Sequence, residues 1–246
     1  RIANLKKLVA RAQKHGIKVY LYLNEPRCLS TAFFEKEGRA AIRGAVEAKK
    51  DVAALCTSVP EVRRWLRDSL TALFSEVKGL GGVFTITMSE NLTNCASHSR
   101  RETCPRCKGR SVAEILAEVN RTVAEGVAAG DPSAETIVWN WGWPKGVEKD
   151  VFPNLPKGNC RVMHVSENGI PVTVGGVTVP EHDYSIAIVG PGENAKSFWR
   201  TARANGLPVL AKVQACNSWE LSSFPFIPAL DLVAEQAANL TREGVE

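Results

Sequence analysis

The stretch Gly82-Val-Phe-Thr-Ile-Thr-Met-Ser-Glu90 decides how the rest of the chain is read. It is an apolar, β-branched run that opens on glycine and closes on a carboxylate. Such a run reads as a parallel strand buried on both faces, with a reactive group at its carboxyl end. In a barrel of alternating strands and helices, active sites are built at that end.

Upstream, Thr57-Ser58-Val59-Pro60-Glu61 reads as a helix start, with a capping hydroxyl and with proline and glutamate in the first turn. The helix that follows carries Val62, Trp65, Leu66, Leu70, Leu73 and Phe74 on its buried side, and Lys78-Gly79 ends it. Residues 28–56 are mixed in character and read as a long loop with a short helix near Phe33 to Arg39. Ile17-Lys-Val-Tyr-Leu-Tyr-Leu23 reads as a strand broken by Asn24-Glu25-Pro26. The first fifteen residues place Ile2, Leu5, Leu8, Val9 and Ala12 on one helical face, stopped at His15-Gly16.

Downstream, Ser111-Val-Ala-Glu114 is a capping box that opens a helix to about Ala129. Strands follow at Thr136–Trp141, Arg161–Val165 and Gly206–Gln214, and helices open near Pro191-Gly192-Glu193 and near Pro228. A β-hairpin insertion is expected at 170–183, around Gly175-Gly176. Helix and strand alternate through five core strands, the pattern of a parallel α/β fold. No glycine-rich phosphate loop follows a strand, the loops after strands are long, and polar and aromatic residues gather at the strands' carboxyl ends. These features favour a (β/α)8 TIM barrel over a doubly wound sheet. Arg1 falls inside a helical pattern, and the chain closes beside a glycine where another strand would come. The expectation is therefore one partial barrel over residues 1–246, truncated at both ends, with a cysteine-rich loop at 91–110.

The chain has 246 residues, 44% of them apolar and 23% charged, an ordinary balance for a globular protein. Its net charge of +5 is spread along the sequence, and no basic run interleaved with aromatics argues for nucleic acid. No apolar stretch reaches the ~18 residues of a spanning helix, so no membrane partner is expected. Seven cysteines fix no redox compartment, and the localisation stays open.

Several short motifs point to one family. Gly16-Ile17-Lys18-Val19, Asn24-Glu25-Pro26, Ser58-Val59-Pro60-Glu61-Val62 and Ser89-Glu90 fall in the order of corresponding pieces in the hexosaminidases of glycoside hydrolase family 20. The segment from residue 1 to 90 resembles those enzymes, and Trp139-Asn140-Trp141-Gly142-Trp143 looks like that superfamily's sugar platform. The resemblance implies a barrel glycosidase acting on a β-linked hexosaminide or related glycan, with Glu90 as general acid. Ser89 stands where the family has the aspartate that orients the substrate's acetamido group. Substrate-assisted and two-carboxylate mechanisms both stay open.

Glycoside hydrolysis usually uses two carboxyl groups. Glu25, Glu90, Glu167 and Glu220 lie at strand ends. Pairing Glu90 with Glu220 resembles the retaining barrel glycosidases, whose acid follows strand four and nucleophile strand seven, and Glu167 is the reserve. Glu167 is equally read as a salt-bridging residue beside the hairpin, and Glu25 as a solvated loop carboxylate. Trp139, Trp141, Trp143 and Trp219 are candidate stacking faces for sugar rings, against the plainer reading as core filling. Ser89, Asn24, Glu25, Asn217 and the segment His182-Asp183-Tyr184 are candidate contacts to hydroxyls.

Cys95, His98, Cys104 and Cys107 have the ligand types and spacing of a structural tetrahedral zinc site, with a disulfide in the same loop as the competing reading. No cofactor is expected for catalysis. Two other classes compete with the glycosidase: a non-catalytic carbohydrate-binding barrel, and an aldolase-type enzyme using Lys212 for a Schiff base.

Overall fold

A computed structural model of the chain describes residues 1–24, 26–88, 91–181, 185–216 and 226–245. They divide into two compact units, Arg1–Arg161 and Val162–Glu246. The first contains α1 (Ile2–Gln13), β1 (Val19–Leu23), β2 (Leu29–Ser30), α2 (Thr31–Phe34), β3 (Arg43–Glu47), β4 (Val52–Leu55), α3 (Pro60–Glu76), β5 (Leu80–Ile86), α4 (Val112–Gly130), β6 (Glu135–Trp139) and α5 (Glu148–Val151). β7 (Cys160–Val165) begins at its end. The second unit continues with β8 (Pro171–Val174), β9 (Val177–Pro180), α6 (Glu193–Ala204), β10 (Val209–Lys212) and α7 (Leu230–Arg242).

In the first unit β5 lies between β1 and β6 and pairs with both in parallel, Tyr22 opposite Phe84 and Ile86 opposite Trp139. All but one residue of β5 is buried, as expected of a parallel strand covered on both faces. Its Val83 joins Leu66, Leu70, Phe74, Val123 and Val127 in one core beneath α3 and α4. At the opening of β6, Glu135 accepts hydrogen bonds from Tyr20 (2.7 Å) and Arg161 (2.8 Å), and burial with that carboxylate pushes the Tyr20 hydroxyl up to about 12. In the second unit β7 and β10 pair in parallel with Val165 opposite Lys212, while β8 and β9 form an exposed antiparallel hairpin.

Five parallel strands alternating with helices are compatible with part of a (β/α)8 barrel. Among the described residues no eight strands close on themselves.

The structure corrects the reading of residues 28–56. In place of a long loop, β2, β4 and β3 form a three-stranded antiparallel sheet, and the helix there is Thr31–Phe34. The strands are short and built on small residues: Gly44, Ala45, Ala53 and Ala54 are buried but have little β propensity. Along α1 only Val9 of the expected face is buried, and Ile2 and Leu8 stay exposed. On α3 the buried stripe is Val62, Leu66, Leu70 and Phe74, four residues apart, which leaves Trp65 half exposed. The capping box at Ser111 forms, whereas α3 begins at Val59 with no side-chain cap.

Helices α3 and α4 approach closely because α4 presents glycine at the contact. A methyl group on Gly126 would lie 2.7 Å from the Arg67 carbonyl oxygen, and one on Gly130 would lie 2.6 Å from that of Thr71. Thr71 and Lys78 instead donate to the Gly126 and Gly130 carbonyls, at 3.2 and 2.8 Å. An alanine inside a helix ordinarily gains about 1 kcal/mol over glycine. Overpacking against backbone costs about 1–3 kcal/mol, and here it should win. Gly126→Ala is expected to lower stability by roughly 1 kcal/mol in a denaturant titration, and a raised midpoint would contradict the close contact.

Candidate functional site

The carboxyl ends of β1, β5 and β6 carry a row of aromatic rings. Tyr22 packs on Phe84 with centroids 5.0 Å apart, Phe84 lies 6.4 Å from Trp139, and Trp139 lies 5.6 Å from Trp141. The row follows from register, since Tyr22 is directly opposite Phe84 in the paired strands. Access varies along it: Tyr22 is 51% exposed, Trp139 only 8%, and Trp141 at the far end is half-buried. Asn24 is buried and donates to the Tyr22 hydroxyl at 2.6 Å. Rings with one free edge beside amide groups can stack on the C–H faces of a sugar.

The loop after β6 is fastened to the end of β5. Trp143 Nε1 donates to Thr87 Oγ1 at 3.0 Å. Gly142 has a φ of +73°, and a side chain there would meet the Met88 carbonyl oxygen at 2.0 Å. The segment after β5 is fastened to the same point: the Thr87 carbonyl accepts from Asn94 (2.6 Å), Thr93 (2.7 Å) and Ser97 (3.1 Å).

In the second unit Glu167 follows β7 and is 1% exposed. One oxygen accepts from the Ser185 backbone N–H at 3.0 Å, and Oε2 has no hydrogen-bond partner among the described residues. Burial pushes its carboxyl up to about 7, against hydrogen bonds from its own and the Ser185 backbone and the charge of Lys212, which lower it. Neighbouring groups are held firmly: Gln236 donates to Ser166 Oγ at 2.7 Å and Asn194 to Asn168 at 3.1 Å. Glu167, Ser185, Gln214 and Gln236 border a small cleft of about 10 Å³, with Ile186 and Leu232 among its apolar walls. That is below the ~300–1,000 Å³ usual for ligand pockets. A carboxyl in this setting retains its proton near neutrality and can donate it. Burial alone lowers His164 to about 4, and its ring stacks on Phe198 at 4.8 Å.

The cysteine loop gathers a different set from the one its spacing implies. The sulfurs of Cys56, Cys95, Cys104 and Cys107 all lie within 4.8 Å of one another, and all four residues are buried. Cys56, just beyond β4, takes the fourth place. His98 stands outside the cluster, with Nδ1 3.9 Å from Glu47. Hydrogen bonds with Cys104, then Cys107 and Cys95, hold the Cys56 thiol below its ordinary range. The hydroxyl of Ser58, expected at the helix start, is 3.2 Å from Cys107 Sγ and accepts from Arg110, while the cap position of α3 falls on Val59, whose side chain has no acceptor.

Of the remaining sequence candidates, Glu25, Ser89, Glu90, Asp183, Tyr184, Asn217, Trp219 and Glu220 lie outside the described residues. Lys212 closes β10, across from Val165. Local spacing misses Cys56 as a partner because it stands alone in the sequence. The only local hint is its position directly after the buried residues Ala53, Ala54 and Leu55.

Because the folded value of Glu167 lies above the ordinary carboxyl value, its contribution to stability is complete below about pH 4.5 and is lost as the pH rises through about 7. Glu167→Gln removes that loss. Its melting temperature relative to wild type is expected to rise by roughly 5–10 °C between pH 5 and pH 8. A flat difference would show that the carboxylate is well accommodated when charged.

No family model matches the sequence, and no curated protein matches it. Among solved structures, the chain is similar to a family 89 glycoside hydrolase from Clostridium perfringens in complex with PUGNAc, at 11% identity and a TM-score of 0.48, over 85% of this chain and 20% of that one. The same family in complex with 2-acetamido-1,2-dideoxynojirmycin gives 12% identity and a TM-score of 0.49 over the same shares. An agarase gives 11% identity and a TM-score of 0.41, over 82% of this chain and 31% of the agarase. The chain thus spans 20% of the length of the family 89 chains.

Proposed function

We propose that the chain is part of a glycoside hydrolase acting on a β-linked hexosaminide or related glycan. The observation that carries this reading is Glu167, a buried carboxyl at the end of a parallel strand, with one oxygen bonded and the other free of partners among the described residues. Its value of about 7 is what a proton donor to a glycosidic oxygen needs. The aromatic row from Tyr22 to Trp141 supports a sugar as the substrate class.

The family 20 resemblance of the sequence gives the general acid to Glu90, with Glu220 as its partner carboxylate. Glu167 is the carboxyl whose surroundings supply the property of an acid. Removing a general acid costs about 10²–10⁴-fold in rate. The loss is largest for leaving groups that cannot depart without a proton. The intact protein of which the chain is part should therefore hydrolyse aryl glycosides, tested in two series, one with a 2-acetamido group and one with a 2-hydroxyl.

Glu90→Gln and Glu167→Gln should each be assayed with a poor and an activated aryl leaving group. The acid is the residue whose loss abolishes turnover of the poor leaving group but spares the activated one. Full activity in both variants would end the carboxyl-acid proposal. Binding without turnover in both series would favour a non-catalytic carbohydrate-binding protein. Borohydride trapping of a carbonyl substrate on Lys212 would favour the Schiff-base class.

A further inference from the structure

We propose that Cys56, Cys95, Cys104 and Cys107 bind one zinc ion as four thiolates, forming a structural site that pins the segment after β5 to the β2–β4–β3 sheet. Geometry is the first support. A tetrahedral site with zinc–sulfur bonds of about 2.3 Å requires sulfurs about 3.8 Å apart. Cys56 Sγ lies 3.7 Å from Cys104 Sγ and 3.6 Å from Cys107 Sγ. A disulfide would need about 2.05 Å.

The surroundings are the second support. Four thiols packed in an apolar core need no donors, and this cluster does touch Ala45, Ala96 and Ile115. Yet polar groups are aimed at the sulfurs. The Ala45 backbone N–H donates to Cys95 Sγ at 3.3 Å, and Arg106 Nε donates to Cys56 Sγ at 3.5 Å. Ser58 reaches Cys107 Sγ and is itself held by Arg110. Zinc with four thiolates carries a net charge of −2, and two guanidinium groups beside it offset that charge. Close approach of the strand is also built in, because a side chain on Gly44 would stand 2.7 Å from Cys95 Sγ.

On binding, each thiol releases its proton to solvent and each sulfur gives a lone pair to the metal. The four thiolates leave no coordination position for substrate, so the ion's role is mechanical. Cys56 brings the end of β4, Cys95 the segment tied to the Thr87 carbonyl, and Cys104 and Cys107 the turn before α4.

The test is metal content by mass spectrometry on the full chain, purified under reducing conditions and washed with a weak chelator. About one equivalent of zinc is expected, retained in His98→Ala and reduced to less than about a tenth in Cys56→Ser. Should Cys56→Ser fail to fold, exchange of the wild-type metal for cobalt(II) decides, and a sulfur-to-cobalt charge-transfer absorption is expected. Metal-free wild type with all its thiols titratable would overturn the proposal. Iron in place of zinc would overturn it too, as would cobalt without that absorption. Zinc kept by Cys56→Ser but lost from His98→Ala would overturn it in favour of the imidazole site.

Discussion

Where β5 stops pairing, the carbonyl of Thr87 has no further strand to bond, and a buried acceptor left bare there would cost about 1–3 kcal/mol. Three side chains from the next ten residues meet that demand, those of Thr93, Asn94 and Ser97. The same residue's hydroxyl takes the indole N–H of Trp143. One residue thereby fixes both the segment entering the cysteine cluster and the tryptophan loop after β6. None of these side chains is charged, so the junction is insensitive to pH and salt. Its direction depends on backbone already set by strand register.

The two most buried carboxylates among the described residues are handled in opposite ways. Glu47 is 5% exposed and receives both arms of Arg100, at 2.7 and 2.8 Å, which hold it below the usual carboxylate range. Glu167 is buried more deeply and receives only backbone N–H groups, its own and that of Ser185. A bidentate guanidinium stabilises the anion, and uncharged amides in an apolar setting leave the neutral acid favoured. Glu47 is therefore a fixed charge that ties β3 to the cysteine loop, whereas Glu167 is a group whose protonation can change near neutral pH.

Periodicity in the sequence revealed the long elements and failed on the short ones. α3, α4 and β5 announce themselves because each holds one repeating pattern long enough to be unambiguous. The β2–β4–β3 sheet gives no such signal. Its buried positions are filled by glycine and alanine, which close packing around the cysteines requires and which hydropathy does not register. The site divides in the same way. Carboxylates and tryptophans after strands could be nominated from strand order alone. The burial that sets Glu167 apart comes from Ser185 and α7, distant in sequence. Cys56 was hidden for a related reason: motif spacing describes neighbours along the chain, and its partner role arises only when β4 is laid against the later loop.

That separation bears on the order in which the molecule can assemble during synthesis. Cys56 leaves the ribosome long before Cys95, Cys104 and Cys107. Joining it to them closes a loop of about forty residues, at an entropic cost of roughly 3 kcal/mol. The β2–β4–β3 sheet, complete in sequence by Leu55, thus has its last tether made by residues that emerge after β5. Until then its inner edge is a bare thiol beside two alanines. A nascent chain that stalled between β4 and the cysteine loop would expose the least self-sufficient part of the fold.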